Sequence, residues 1–222
     1  MARSIVLLSG GMDSLVTAAY AVNAGDDVYF LHFNYGQLTE KKEQSCFAKL
    51  VDYYQPVQAK TINYPWLKEI GGSALTNGNL SVPKGRIATK KIPRTYVPFR
   101  NAIFLSAAVA WAEVIKATKI YIGAVEEDSS GYPDCREVFF KAFAKVIATG
   151  TKGEIPIAVI TPVLHQSKAE IVQLGTELKA PFHLSWSCYT ENEIACGVCE
   201  SCLLRKKAFQ QAGISDPIPY RN

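Results

Sequence analysis

Short, wholly apolar runs alternate with stretches of helical period along most of this chain, and no other feature restricts its fold as much. Residues 4–8 (Ser-Ile-Val-Leu-Leu) form such a run, as expected of a strand buried on both faces of a parallel sheet. Residues 14–24 follow with apolar positions at Leu15, Ala18, Ala19 and Val22, a helical stripe that Gly25 stops. The rhythm then gives a strand at 28–33, a helix at 39–53 and a strand at 57–61. Later come a helix at 101–116, a strand at 119–123, a helix at 136–148 and a last strand at 155–163. Ser167-Lys168-Ala169-Glu170 is a capping box opening a helix to Leu178, and a short helix at 203–212 closes the chain. Alternation of this kind predicts right-handed crossovers and an α/β fold, a doubly wound parallel sheet with helices on both faces.

A length of 222 residues suits one large domain with a small appendage. We divide it into an α/β domain over 1–180 and a cysteine-bearing segment with the final helix over 181–222, packed on the same domain. The charge balance, 24 basic against 20 acidic residues for a net +4, falls short of a dedicated nucleic-acid binder and suits an anionic small molecule. The longest apolar run, residues 102–112, is eleven residues broken by Ser106. A membrane span needs about 20, so this reads as a buried helix and no membrane partner is expected. The first apolar stretch, residues 5–8, is too short for a signal peptide, and the protein is expected in the cytoplasm. Six cysteines in that compartment point to metal binding or reactivity before disulfides. The three histidines, His32, His165 and His183, are not spaced as a metal site.

Residues 64–97 break the rhythm. They carry Gly71, Gly72, Gly78, Gly85, Pro83 and Pro93, with basic residues Lys84, Arg86, Lys90, Lys91 and Arg94. A loop of that length reads as a lid that excludes water from a reactive intermediate, or as a disordered segment.

Ser9-Gly10-Gly11-Met12-Asp13-Ser14 lies between the first strand and the first helix. Its glycines let the backbone turn tightly and approach a ligand. Open N–H groups and the positive helix end favour a phosphate or pyrophosphate, and Ser9 and Ser14 add hydroxyl donors. Asp13 either caps the helix or helps hold Mg²⁺. The plain alternative is a Gly-Gly turn with Ser and Asp capping a helix. Neither a Walker A loop nor a dinucleotide G-x-G-x-x-G occurs in the chain.

Ser-Gly-Gly-x-Asp-Ser after a first strand resembles the pyrophosphatase loop of the ATP pyrophosphatases (PP-loop superfamily). Those enzymes share a Rossmann-like fold of the adenine nucleotide alpha hydrolase type. They cleave ATP between the α and β phosphates and adenylate an oxygen. Four more segments narrow the resemblance: Val97-Pro98-Phe99-Arg100-Asn101, Ser130-Gly131-Tyr132-Pro133-Asp134-Cys135-Arg136, Thr161-Pro162-Val163 with Lys168, and Ser187-Cys188-Tyr189. With the cysteine cluster, these look like the 7-cyano-7-deazaguanine synthase (preQ0 synthase) family over residues 5 to about 206. The resemblance implies ATP-dependent conversion of 7-carboxy-7-deazaguanine and ammonia to the nitrile of a queuosine precursor. Two adenylations, of the carboxylate and then of the amide, would each use MgATP. It also implies a homodimer, and ATP held by Leu8, Ser9, Gly10, Gly11, Met12, Asp13 and Ser14.

Cys188, Cys196, Cys199 and Cys202 give C-x7-C-x2-C-x2-C. Two-residue spacers let thiolates converge on one ion, and four of them suit a structural tetrahedral Zn²⁺ with no open position. An iron–sulfur cluster or four metal-free core cysteines remain the alternatives; the resemblance favours one zinc per chain. Cys46 and Cys135 read as packing residues, since neither has a nearby histidine to activate it.

Arg100 and Lys168 each stand in a first helical turn, where the dipole disfavours cations. An anion bound by each, or a local ion pair, would explain the placement. In the superfamily a lysine at the position of Lys168 contacts ATP phosphates, so Asp13, Ser14, Arg100 and Lys168 are the expected catalytic set. A guanine-like base presents donors at N1–H and its exocyclic amine, for which a carboxylate is the natural acceptor. Asp128 and Asp134 are the expected readers, with Arg136 beside them. Tyr132 is the expected stacking residue, because Ser129 stands where the family pattern has an aromatic. The competing readings are a tRNA-thiolating or lysidine-forming relative and a non-catalytic zinc-ribbon module binding nucleic acid. The first would call for stronger positive charge, and the second leaves the glycine loop unexplained.

Overall fold

The computed structural model describes residues 1–77, 79–85, 92–126 and 131–221. Five strands, β1 (Arg3–Leu7), β2 (Asp27–Asn34), β3 (Gln58–Asn63), β4 (Lys119–Ile122) and β5 (Ala158–Ile160), pair in parallel in the order β3-β2-β1-β4-β5. Ile5 of β1 lies between Tyr29 of β2 and Ile120 of β4. The helices are α1 (Met12–Asn23), α2 (Glu40–Tyr54), α3 (Trp66–Ile70), α4 (Arg100–Ile115), α5 (Glu137–Gly150), α6 (Lys168–Glu177) and α7 (Glu200–Ala212).

Successive strand residues point to opposite faces, and both faces are covered. Ile5, Leu7, Leu31, Phe33, Ile120 and Ile122 pack with Leu105, Ala108 and Ala112 of α4 and Phe140 of α5. Val6, Val28, Phe30 and Tyr121 pack on the other side with Leu15 and Val16 of α1, Phe47 and Leu50 of α2, Ile171 of α6 and Phe209 of α7. The apolar runs therefore lack alternation because neither face meets water. The strand order reverses direction at β1, so the loops leaving β1 and β4 part there and open a crevice at their carboxyl ends.

Two elements depart from the sequence pattern by as much as three residues at a boundary. The last strand, expected over 155–163, pairs only at Ala158–Ile160, because Pro156 and Pro162 have no N–H for the ladder. The final helix begins at Glu200 rather than 203, with Cys199 as its N-cap. Residues 64–97 are no loose flap where they are described. Ser73, Ala74, Thr76 and Thr95 are buried, Leu38 N donates to Leu75 O at 2.9 Å, and Ala74 N donates to Arg94 O at 2.7 Å. Arg86, Lys90 and Lys91 lie outside the described residues.

The chain's end folds back on the same body. Phe182 and Phe209 meet edge to face at 5.1 Å. Buried Arg205 donates to Asp216 through Nε at 2.9 Å and to Ser185 Oγ at 2.8 Å. No helix among the described residues is long and apolar enough to cross a membrane.

Candidate active site

The glycine loop leaves β1 at the crevice. Gly10 has φ +87°, and a Cβ there would stand 2.9 Å from Cys46 Cβ and 3.0 Å from the Glu43 carbonyl oxygen. Only glycine fits both the angle and the space. Trp186 N donates to Gly10 O at 2.9 Å, Gly11 N donates to Ser9 Oγ at 3.2 Å, and Ser14 Oγ donates to Gly11 O at 3.0 Å. No side chain among the described residues caps α1, whose N-cap is Gly11, so its first-turn N–H groups are open to an anion. Gly123, at the end of β4, brings the opposite wall against this loop. A Cβ on it would lie 2.8 Å from Asp13 C and Ser14 N.

Asp13 does not cap the helix. Its Oδ2 accepts from Lys168 Nζ at 2.7 Å, while Oδ1 is buried without a partner among the described residues. Lys168 is the first residue of α6, aimed by the capping box: Ser167 N donates to Glu170 Oε2 at 2.8 Å and Glu170 N to Ser167 Oγ at 3.3 Å. Residues 155 positions apart in the chain thus meet at the loop.

A cleft of about 290 Å³ opens in front, lined by Leu8, Ser9, Gly11, Met12, Asp13, Ser14 and Lys168, with Leu31, Phe33 and Ile122 as an apolar floor. Arg100 also lines it, its Nη1 donating to Tyr35 OH at 3.2 Å and its guanidinium 6.0 Å from the Phe104 ring. It has no ion pair among the described residues. Burial pushes the Tyr35 phenol up to about 12, so it stays a neutral hydroxyl. Glu43 of α2 lines the cleft too, a residue that the pattern of α2 gave no reason to single out. Its Oε1 accepts from Thr39 Oγ1 at 2.8 Å and its Oε2 from Gln37 Nε2 at 3.0 Å. Burial raises its pKa, and those two hydrogen bonds and Arg100 oppose the rise.

Not every expected residue reaches the cleft. Asp134 Oδ2 accepts from Asn101 N at 2.9 Å and Asp134 O accepts from Asn101 Nδ2 at 3.0 Å. That buried carboxylate caps α4, offsetting the dipole beside Arg100, and does not line the cleft. Arg136 donates to Pro133 O at 3.2 Å and is likewise outside it. Tyr132 does line the cleft, its hydroxyl 2.8 Å from Thr95 Oγ1. Cys135 lines it as well. Asp128 lies outside the described residues.

Cys188, Cys196, Cys199 and Cys202 bring their sulfurs within 4.8 Å of one another, with Cys196 Sγ 3.9 Å from Cys202 Sγ. A metal–sulfur bond of about 2.3 Å in a tetrahedron sets sulfurs about 3.8 Å apart. Backbone N–H groups of Cys196 and Cys199 donate to Cys188 Sγ at 3.4 Å and Cys196 Sγ at 3.3 Å, as suits thiolates. Cys188 borders the same cleft as the glycine loop.

A family model described as "Queuosine biosynthesis protein QueC" matches residues 3–213. A protein of Chloroherpeton thalassium named 7-cyano-7-deazaguanine synthase is 55% identical over 99% of this chain and 97% of its own. A protein of the same name from Chlorobium phaeobacteroides is 55% identical over 98% of this chain and 96% of its own. Among solved structures, a 4-thiouridine synthetase–RNA complex with bound ATP matches with TM-score 0.51 at 18% identity, covering 96% of this chain and 50% of that one. That likeness concerns the fold.

Proposed function

The chain belongs to the QueC family of queuosine biosynthesis proteins, and we propose from that membership and from the cleft how it works as a 7-cyano-7-deazaguanine synthase. The substrates are 7-carboxy-7-deazaguanine, ammonia and two ATP. A carboxylate oxygen attacks the α-phosphorus of the first ATP, and the bond to the β-phosphate breaks. Ammonia then attacks the acyl carbon, AMP leaves and a proton is released, giving the amide. The amide oxygen attacks a second ATP in the same way; loss of AMP and the remaining amide protons leaves the nitrile. The relatives' shared name favours this reading over a tRNA-thiolating or lysidine-forming one.

The observation that carries the reading is that the glycine loop and the cysteine cluster border one cleft. The open N–H groups of α1 receive the departing pyrophosphate, and Arg100, which has no ion pair among the described residues, answers the α-phosphate or the carboxylate. Such chemistry rests on positioning and charge stabilisation. Asp13 Oδ1, which has no partner among the described residues, is the oxygen that would hold Mg²⁺ bound with the nucleotide, and the ion would supply positive charge against the pyrophosphate. Zn²⁺ suits the four cysteines, whose sulfurs close on a single ion; a cluster with one iron per thiolate needs them further apart. Its role there is structural.

Val138 and Val146 of α5 and the neighbouring Phe99 are exposed, an apolar surface that fits a homodimer of a cytoplasmic enzyme. Incubation with 7-carboxy-7-deazaguanine, ammonium and MgATP tests the function, with pyrophosphate and product mass followed together. Nitrile with AMP and pyrophosphate is expected. Pyrophosphate without nitrile would assign the chain a different acceptor.

A further inference from the structure

The phosphate-binding reading of the glycine loop leaves one thing open: what keeps its donors aimed. The peptide between Gly10 and Gly11 joins two residues without a Cβ, so nothing in their own side chains keeps it from rotating. Across a trans peptide the Gly10 carbonyl and the Gly11 N–H point in opposite directions. Whatever holds Gly10 O therefore also aims Gly11 N–H. The holder is the backbone of Trp186, whose N–H donates to Gly10 O at 2.9 Å, while Gly11 N donates to Ser9 Oγ at 3.2 Å. Ser9 and Gly11 both line the cleft. We propose that Arg205 of α7 is the positioning residue of this loop: it grips the serines on either side of Trp186 and through them keeps the Gly10–Gly11 peptide turned for a phosphate. The inference rests on the glycine loop being the pyrophosphate site, as proposed above, and adds the residue that keeps that site ready.

Arg205 is 1% exposed. Its Nη1 donates to Ser185 Oγ at 2.8 Å and to Ser187 Oγ at 3.3 Å. Nε and Nη2 donate to the two oxygens of Asp216 at 2.9 and 3.0 Å, and Nη2 also donates to Phe182 O at 3.3 Å. A guanidinium has five N–H donors, and these five contacts use them all. Arg205 lines the cleft with Ser201 and Leu204 of the same helix, yet its donors serve the protein rather than a ligand. Asp216 is held in turn by Tyr220 OH at 2.6 Å and Ile218 N at 3.2 Å, so the grip is anchored in the tail. Ser185 Oγ donates onward to Phe182 O at 2.8 Å. The Trp186 side chain is fixed as well, its Nε1 donating to Glu191 O at 2.9 Å. A lysine at 205 would bring three donors and no planar fork, too few for this set of acceptors.

Two measurements on the zinc-loaded, full-length protein test this: the Kd of magnesium pyrophosphate by calorimetry, and the exchange rate of the Trp186 amide proton by NMR without ligand. The variants are Arg205→Lys and Ser185→Ala. Ser185 is buried and lies outside the cleft lining, so its loss reaches a ligand only through Arg205 and Trp186. Pyrophosphate should bind about 5-fold more weakly to Ser185→Ala and about 10-fold more weakly to Arg205→Lys, the range that one misaimed hydrogen bond spans. Trp186 exchange should quicken in the same order. Tyr121→Phe removes the hydrogen bond from Tyr121 OH to Asp26 at 2.9 Å, away from the loop, and should leave both readouts at the wild-type level. Quicker exchange at Trp186 with pyrophosphate affinity intact would overturn the proposal. Weaker affinity with that exchange unchanged, or an equal loss in Tyr121→Phe, would do the same. Should Arg205→Lys fail to fold, Ser185→Ala alone decides between these outcomes. A wild-type protein that binds no magnesium pyrophosphate would instead remove the reading of the loop beneath the proposal.

Discussion

Asp13 and Lys168 stand 155 positions apart and meet at 2.7 Å; the sequence singled out each by its place in a first helical turn, and the structure pairs them with each other. Lysine in a first helical turn opposes the dipole, and an aspartate at a glycine-loop helix start signals an anion or a cation partner. Lys168→Ala should lower kcat/KM for ATP about 100-fold, a loss typical of removing one charge-stabilising donor. Pyrophosphate release would show it, and near-normal rates would sink the role. Asp134 was not legible by its place: its partner, the Asn101 amide, is 33 positions away, and a loop acid carries no mark of the helix it will cap. His32 makes a separate prediction. Its ring stacks on Phe47 at 4.8 Å, Nδ1 donates to Leu8 O at 2.9 Å, and Nε2 has no partner among the described residues. Burial lowers its pKa from 6.5. The unfolded chain therefore binds the extra proton first, and stability is full above pH 6.5 and falls as pH drops below it. Urea unfolding should show stability falling as the pH drops below 6.5, and His32→Gln should flatten that slope.

At the scale of elements, strands and helices were read from the apolar pattern because a sheet covered on both faces leaves continuous apolar runs. What the pattern hid was how closely the elements approach. Gly123 reads as an ordinary strand end, yet it lets β4 come against the start of α1, with Asp13 C and Ser14 N 2.8 Å from a Cβ built there. Backbone atoms on both sides leave little room to relax. Gly123→Ala should cost about 1–3 kcal/mol through overpacking and weaken ATP binding by shifting the loop, read as a lower Tm and a higher KM for ATP. Ser167→Ala removes half of the capping box that starts α6 and should cost about 1 kcal/mol. Because Lys168 is the next residue, its effect on ATP use should exceed what that stability loss alone explains.

For the whole molecule, the decisive link is between the cysteine cluster and the rest of the chain. Spacing alone showed that four thiolates could meet, but not what they would tie together. In the folded chain Gly85 N donates to Val198 O at 2.9 Å, Ala195 N donates to Pro219 O at 3.1 Å and Arg221 N donates to Ala195 O at 2.8 Å. Cys188, Cys199 and Cys202 pack with Ala74, Val82, Trp186 and Ile218. The cluster thus gathers the segment after α3, the tail and the wall of the cleft, and Trp186 reaches from it to Gly10 O at 2.9 Å. Stripping the zinc proposed here should do two things at once. It should lower Tm, because binding energy at a structural site is folding energy, and it should raise KM for ATP and for the base together, because the loop and α7 lose one common support. Chelation followed by calorimetry and kinetics reads both. A stripped protein with its Tm lowered but both KM values unchanged would confine the metal to stability and detach the cluster from the cleft.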